Sequence, residues 1–179
     1  MSQRSVAVFC GSRDAVDAKH LALADATGRA IAARGWTLVY GGGAVGMMGR
    51  CARACTAGGG RVVGVLPHAM DSVEIAYRAA DELIMVDTMR QRKQIMDDRS
   101  DAFLVLPGGF GTLEELAEVL THRFLNYHAK PVVLVNLDGF YNPLLRLFDH
   151  FIDAGFAGKA YREHYTVVAD VEGAFEALG

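Results

Sequence analysis

Cysteine is scarce in this chain, and the sequence shows no spacing typical of a metal site. Its three cysteines, Cys10, Cys51 and Cys55, are odd in number, and no second Cys or His pair lies at zinc-ligand spacing from the last two. The six histidines form no His-Glu-x-x-His pattern, and Asp97-Asp98 has no calcium-loop spacing around it. We therefore predict structural thiols and no metal site.

Positive charge and long apolar runs are also scarce. The 179 residues carry 18 Lys and Arg against 21 Asp and Glu, a net charge of -3, and no basic run exceeds the pair Arg92-Lys93. This balance argues against a surface for long nucleic acid but leaves small anions as partners. The apolar run 6–10 is far shorter than a signal-peptide core or a membrane span. We expect a cytoplasmic protein without a membrane partner.

Short apolar runs alternate with helix-length segments along the whole chain. Hydrophobic residues make up 51% of the sequence, an ordinary fraction for one compact domain, which we place at residues 1–179. The alternation predicts an α/β fold, a doubly wound and mainly parallel sheet with helices on both faces and ligands at the carboxyl ends of the strands. The predicted strands are 5–10, 37–40, 61–66, 83–86, 102–106, 132–136 and 165–168, and the predicted helices are 15–34, 46–57, 89–99, 112–120 and 141–153.

Two glycine-rich turns, 41–46 and 108–111, each follow an apolar strand and open a helix. Free backbone amides and the helix dipole attract anions at such a position. The first turn fits Gly-x-Gly-x-x-Gly, but Leu66-Pro67-His68 stands where a dinucleotide site needs an acidic residue. Neither turn contains Gly-Lys-Ser/Thr, the nucleoside triphosphate loop. A mononucleotide fits better and we expect no cofactor, although the first turn could equally need its glycines only to turn tightly.

Two cations interrupt the apolar face of the helix that begins at Met89, after a capping-box pattern at Thr88. Met89 and Met96 are one heptad apart, and Arg92 and Lys93 occupy the positions between them on the same face. One interpretation is that both side chains reach solvent or pair with nearby carboxylates. The other is that two inward cations await an anionic ligand.

The helix that begins near residue 112 carries a carboxylate at an unusual position. We expect Glu114 and Glu118 to be solvated, and Glu115 to point away from the core beside Val119. Glu115 could simply complement the helix dipole. It could also serve glycosidic chemistry, which builds positive charge on a ribose and needs a base for the attacking water. The apolar neighbour indicates a covered surface, such as a subunit contact. The predicted core stripe comprises Leu113, Leu116, Ala117 and Leu120.

These same residues resemble a known family. Segments 88–93 (TMRQRK) and 107–115 (PGGFGTLEE) resemble the paired signature of the Lonely Guy family. The likeness extends over nearly the whole chain. Membership would imply a Rossmann-like homodimer that acts as a phosphoribohydrolase on cytokinin riboside monophosphates and AMP-like nucleotides. Further similar segments are 39–43, 46–49, 64–67 and 130–132.

The resemblance also implies roles for individual residues. Arg92 and Glu115 would be the catalytic pair. Gly11, Ser12, Gly42 and Gly43 are candidates for further nucleotide contacts. Substrate binding would involve Glu74, Arg92, Lys93, Gly109, Phe110, Gly111, Thr112, Leu113, Glu114, Glu115 and Thr121.

Two departures from the family pattern and one rival function qualify these roles. Arg90 stands where many relatives have His, and Ser72 stands where some have Arg, which bears on substrate affinity and on the preferred base.

Older descriptions of the family as lysine decarboxylases find no support, because nothing in the sequence indicates a pyridoxal site. The rival is a non-catalytic carrier of a nucleotide or phosphorylated cofactor, since one fold can bind related ligands without chemistry. The sequence does not identify which base is preferred or which group donates a proton to the leaving base.

Overall fold

The structure, a computed structural model, describes residues 3–71 and 75–179. Seven parallel strands form one sheet in the order β4-β3-β2-β1-β5-β6-β7. The chain builds outward from β1 to β4 and then returns to the other side of β1, so the strand order reverses between β1 and β5. A crevice forms beyond the carboxyl ends of the strands at such a reversal. The strands are β1 Ser5–Phe9, β2 Thr37–Tyr40, β3 Arg61–Pro67, β4 Glu82–Val86, β5 Ala102–Val105, β6 Val132–Val135 and β7 Thr166–Val168.

Helices cover both faces of the sheet. Along β1, Val6 and Val8 enter one buried cluster while Ala7 and Phe9 enter the other, as the alternation of side chains along a strand requires. The first cluster includes residues of α1, α2 and α6, and the second includes residues of α3, α4 and α5. The predicted doubly wound architecture is confirmed. The helices are α1 Ala18–Ala33, α2 Gly46–Ala57, α3 Met89–Asp98, α4 Phe110–Phe124, α5 Asn142–Asp153 and α6 Val171–Leu178.

The predicted elements match the observed ones closely, with three exceptions. Helix α4, predicted at 112–120, extends over Phe110–Phe124. Helix α1 begins at Ala18 rather than at residue 15, because the Asp17 side chain accepts a hydrogen bond from the Lys19 amide at 3.0 Å and caps the helix there. Helix α6 was not predicted, because its 8 residues give too short a periodic pattern. Within the described ranges, none of the helices combines the length and the apolarity that crossing a bilayer requires.

The predicted core stripe of α4 is partly wrong. Leu116 and Leu120 are buried as expected, but Leu113 is 39% exposed and Ala117 is exposed. Thr112 and Val119 are buried as well. The first turn sets this rotation. A Cβ on Gly108 would lie 2.1 Å from the Thr112 hydroxyl oxygen, so the missing side chain lets Thr112 pack inward and turns its face of the helix toward the sheet.

The same rotation corrects the expectation for Glu115. It does not point away from the core: it is half-buried and lines a small void together with Phe103 and Val119 of the core. Lys93 of α3 lines the same void. Glu115 therefore faces the groove between α3 and α4 rather than a surface remote from them.

Candidate active site

A cleft of about 560 Å³ lies beyond the carboxyl ends of the central strands. The loops that follow β1 and β5 contribute to its wall, and so do the first turns of α3 and α4. This is the crevice that the reversal of strand order creates. Nine of the residues selected from the sequence line it, namely Gly11, Ser12, Arg92, Gly109, Phe110, Gly111, Thr112, Glu114 and Glu115.

The second glycine turn leads directly into α4 and leaves room for a ligand. Gly109 is the N-cap residue, and no side chain caps the helix within the described part of the chain. A Cβ on Gly109 or Gly111 would meet open space, so these two glycines keep the entrance of the helix clear. The Phe110 side chain between them is 92% exposed. First-turn amides without a capping side chain form an anion site at the positive end of the helix dipole.

Arg92 is buried, with 4% of the residue exposed, and it ties α3 to the ends of two strands. Its Nε donates to the Val65 carbonyl at 3.1 Å, and its Nη2 donates to the Gly41 carbonyl at 2.7 Å. A Cβ on Gly41 would lie 1.9 Å from Nη2, so glycine is needed there for the guanidinium to approach. Hydrogen bonds from a charged group to fixed carbonyls hold the guanidinium rigidly at the cleft wall. Arg92 therefore follows the second of the two interpretations, that of a cation that points inward.

Lys93 follows the first interpretation, that of a cation that pairs with nearby carboxylates. Its side chain is 17% exposed, and its Nζ donates to carboxylate oxygens of both Glu114 and Glu118. Burial lowers the pKa of Lys93, but the hydrogen bonds to Glu114 and Glu118 outweigh it, so the pKa lies above its ordinary value. Lys93 does not line the main cleft but shares the adjoining void of about 20 Å³ with Glu115. It joins α3 to α4 beside the site.

The first glycine turn serves the fold. The Ala44 amide donates to the Ile75 carbonyl at 2.8 Å, and Gly43 forms an antiparallel bridge to the same segment. Gly42 has a φ of 80°, and a Cβ there would lie 3.0 Å from the Leu66 Cβ. Gly42 and Gly43 do not line the cleft, so their position favours the interpretation that these glycines permit a tight turn.

Three other residues selected from the sequence lie apart from the cleft or outside the described ranges. Thr121 donates its hydroxyl to the Ala117 carbonyl at 2.7 Å and lines a separate apolar cavity of about 580 Å³ between α4 and α5. Leu113 lines a groove on the far side of the glycine turn. Glu74, like Ser72, lies outside the described residues.

Sequence reasoning missed several residues of the cleft. Arg13 and His20 contribute polar groups on the α1 side. No local pattern marks either one, because they reach the cleft only through the packing of the β1–α1 loop. Their apolar companions form a surface suited to the flat face of a base. These are Val16, Met47, Met48, Met70, Met89 and Phe140.

Comparisons with known proteins show the family of this chain. A family model described as "Possible lysine decarboxylase" matches residues 48–178. A cytokinin riboside 5'-monophosphate phosphoribohydrolase of Mycobacterium tuberculosis is 47% identical over 97% of this chain and 92% of the relative. The chain belongs to the Lonely Guy family. A second relative of that enzymatic name, from Rhodococcoides fascians, is 45% identical over 98% of this chain and 89% of its own. The predicted family is therefore confirmed.

Solved structures similar to this Lonely Guy protein share its fold. The molybdenum cofactor carrier protein of Chlamydomonas reinhardtii is 27% identical and covers 99% of this chain and 96% of its own, with a TM-score of 0.75. The molybdenum cofactor binding protein of Rippkaea orientalis is 25% identical, with coverages of 98% and 95% and a TM-score of 0.72. The architecture of this chain thus occurs also in proteins named as molybdenum cofactor carrier and binding proteins.

Proposed function

We propose that this protein hydrolyses the N-glycosidic bond of nucleoside 5'-monophosphates, of AMP and of cytokinin riboside 5'-monophosphates, giving free base and ribose 5-phosphate. One observation carries the proposal: Glu115 and the buried Arg92 line the same cleft as the uncapped N-terminus of α4. An anion site beside a carboxylate suits a phosphorylated ribose whose bond to the base is to be broken. Relatives 42–47% identical to this chain are named as phosphoribohydrolases, which supports it.

The 5'-phosphate is held at the second glycine turn. Backbone amides from Gly109 to Thr112 bind its oxygens with help from the Thr112 hydroxyl, because they lie at the positive end of α4. Binding energy gained at this remote group orients the ribose so that its anomeric carbon lies near Glu115. Phosphate dependence of the reaction follows.

The chemistry takes place at the anomeric carbon. The C–N bond breaks with its electron pair going to the base, which takes up one proton as it leaves. A water oxygen forms the new bond to carbon and loses one proton, so the products are the free base and ribose 5-phosphate. Glu115 stabilises the positive charge that develops on the ribose and accepts the proton of the attacking water. Arg92, held by two carbonyls, orients Glu115 or the ribose hydroxyls. Lys93 and Glu114 support this arrangement through their mutual pair, and the resemblance adds Glu74, Leu113 and Thr121 to substrate binding.

Three further proposals concern the chain as a whole. We propose that residues 1–179 act as one domain, that the protein is cytoplasmic, and that it is a homodimer with Thr121 near the subunit contact. Exposed apolar side chains beside the cavity between α4 and α5 support the dimer, since Phe151 is 41% exposed and Phe156 is 89% exposed. An isologous two-fold contact would cover them.

A carrier of a phosphorylated ligand is the second candidate, favoured by the structural likeness to molybdenum cofactor carriers. Two observations favour the enzyme. A carboxylate such as Glu115 repels a bound phosphate and serves no purpose in a carrier, whereas an oxocarbenium-like ribose requires it. The chain is also more similar to the hydrolases, at 47% identity, than to the carrier from Chlamydomonas reinhardtii, at 27%.

Incubation of the pure protein with AMP and with adenosine, followed by chromatography of the products, tests the proposal. We expect free adenine from AMP and a far slower release from adenosine, because the site is built around an anion. AMP that stays bound and unchanged would establish the carrier. Equal rates on AMP and adenosine would contradict the role given to the phosphate.

A further inference from the structure

Two polar side chains line the cleft from the loop before α1 and from α1 itself, and they have no part in the mechanism above. Arg13 lies in the loop between β1 and α1, directly after Ser12, and is exposed. Within residues 3–71 and 75–179, no hydrogen bond or ion pair engages its guanidinium. His20 lies in the first turn of α1 and also lines the cleft. Both could therefore meet a ligand.

The environment of His20 leaves one ring nitrogen for that ligand. Its Nδ1 is covered by protein and has no hydrogen-bond partner among the described residues. The ring packs edge-on against Phe140, with 5.6 Å between the ring centroids. Since no acceptor is available for a proton on Nδ1, we assign the proton of the neutral ring to Nε2, from which it can be donated to an anionic oxygen.

The loop that carries Arg13 lies directly against the second glycine turn. The Gly11 amide donates to the Pro107 carbonyl at 3.1 Å, and a Cβ on Gly11 would be 3.6 Å from the Gly108 Cα. Phe140, the ring neighbour of His20, lines a groove together with Gly108. Arg13 and His20 thus belong to a part of the cleft wall that packs against the turn at which we place the phosphate.

The charges in the cleft indicate a role for the part of it that Arg13 and His20 line. Glu115 lines the cleft and its carboxylate repels a phosphate dianion, whereas the charge of Glu114, which also lines the cleft, is paired with Lys93. Arg92 donates two hydrogen bonds to the carbonyls of Gly41 and Val65. A positive charge beside the uncharged amides of α4 strengthens the binding of a dianion, and Arg13 is a cation that lines the cleft and can supply it.

We propose that Arg13 and His20 form the second wall of the phosphate site and donate hydrogen bonds to the 5'-phosphate oxygens, opposite the amides of α4. This inference rests on the proposed function, because it assumes that the ligand is a nucleoside 5'-monophosphate. The phosphate is then held between the loop after β1 and the turn after β5, across the reversal of strand order. Arg13 and His20 are binding residues that act on affinity more than on the chemical step.

The test compares Arg13→Gln, His20→Phe and His20→Gln with a matched control. Phe keeps the ring packed on Phe140 but removes both nitrogens, whereas Gln can restore an N–H donor near Nε2. Lys19→Gln is the control, because Lys19 adjoins His20 but pairs with Asp138 and does not line the cleft. Calorimetry with AMP, adenosine and inorganic phosphate gives the Kd values, and steady-state rates give KM and kcat.

We expect Arg13→Gln and His20→Phe each to raise the Kd for AMP and for inorganic phosphate by at least about tenfold, the scale of a hydrogen bond to a charged group. Adenosine binding and kcat should change little, His20→Gln should recover part of the affinity, and Lys19→Gln should match the wild type. The inference is overturned if Arg13→Gln and His20→Phe bind inorganic phosphate and AMP as the wild type does. Equal losses for AMP and adenosine would overturn it as well, since the phosphate would not be the group contacted.

The two proposals fail in different ways. If AMP is hydrolysed and neither Arg13 nor His20 affects its KM, the second wall is wrong and the enzymatic function stands. If AMP binds in a manner that depends on both residues but adenine is never released, the second wall stands and the enzymatic function is wrong. A wild-type protein that binds neither AMP nor inorganic phosphate would contradict both.

Discussion

Arg92 depends on a single glycine for its position. Its guanidinium reaches the Gly41 carbonyl at 2.7 Å because Gly41 has no side chain in the way. The sequence indicated Gly41 only as part of a glycine-rich turn that could bind phosphate. In the structure, the missing side chain of Gly41 allows the Arg92 guanidinium to take its place at the cleft. Gly41 is therefore a positioning residue for the proposed reaction.

Substitution of Gly41 should therefore damage catalysis through Arg92. In Gly41→Ala the new methyl group would lie 1.9 Å from Arg92 Nη2, so the guanidinium must move away from the cleft wall. We expect kcat/KM for AMP to fall by at least about tenfold, a scale typical of a misplaced catalytic group. The control is Gly158→Ala, where a Cβ meets open space. Steady-state kinetics check this, and an unchanged kcat/KM would show that Arg92 need not stand where the structure places it.

Glu115 offers a second test at the scale of one residue. Glu115→Gln keeps the shape of the side chain but loses the negative charge that an oxocarbenium-like ribose needs, so kcat for AMP should fall by about a hundredfold or more. Binding of AMP should survive, because the phosphate contacts are unchanged. Glu176→Gln, an exposed carboxylate on α6, serves as control.

Two results would contradict this assignment of Glu115. A Glu115→Gln protein that turns over AMP at the wild-type rate would make the carboxylate a helix-dipole partner. Loss of AMP binding by calorimetry would make it structural. Either result would remove Glu115 from the chemical step, and only the first would leave the phosphate site as proposed.

Helix α3 carries Arg92 and Lys93 in its first turns, so its N-terminus matters to the site. The Thr88 hydroxyl accepts from the Gln91 amide at 3.2 Å, and the Gln91 side chain accepts from the Thr88 amide at 3.2 Å. This is the capping box that the sequence predicted. It sets where α3 begins, and thereby which of its side chains reach the ends of β2 and β3.

Removal of this cap should weaken the fold by a measurable amount. Thr88→Ala deletes the side-chain acceptor, and we expect the free energy of unfolding to fall by about 1 kcal/mol, the usual value for an N-cap. Thr88→Ser keeps the hydroxyl and should stay within a few tenths of a kcal/mol of the wild type. Urea denaturation measures both. Equal stability of the Ala and Ser variants would mean that packing alone holds the start of α3.

The whole molecule presents an apolar face that the single chain leaves uncovered. The cavity between α4 and α5 holds about 580 Å³, and Ala117 and Thr121 lie on its α4 side. Exposed apolar patches with such a cavity are typical of subunit contacts. The expectation of a subunit contact near Thr121 came from the family resemblance and from Val119 beside Glu115. Val119 is buried in the core and does not support it, whereas the exposure of Leu113 and Ala117 does.

A charged residue in this face should separate the subunits. We expect light scattering of the wild type to give about twice the 19.3 kDa of one chain, and Ala117→Asp to give the monomer, because a buried unpaired carboxylate is costly at an apolar contact. Ala177→Asp on α6 is the matched exposed control. A wild-type monomer with full activity would contradict the dimer.

The order of the elements was predictable from local pattern. Buried parallel strands are continuous apolar runs, which is why the seven predicted strands lie within one residue of the observed ends. The glycine turn at 108–111 and the cap at Thr88 were predictable for the same reason, because each depends on residues a few positions apart. Alternation of strand and helix then leaves the doubly wound sheet as the architecture.

Tertiary packing decided which side chains meet. The rotation of α4 that brings Glu115 toward Lys93 depends on Thr112 packing against Gly108, and helical periodicity alone selected a different face. Arg13 and His20 reach the cleft through contacts between the loop after β1 and segments about 100 residues away in sequence, such as the Gly11 amide with the Pro107 carbonyl. The local sequence pattern thus determined the helices, the strands and the second glycine turn. The meeting of the loop after β1 with the turn after β5 arises from long-range contacts, which no short window of sequence contains.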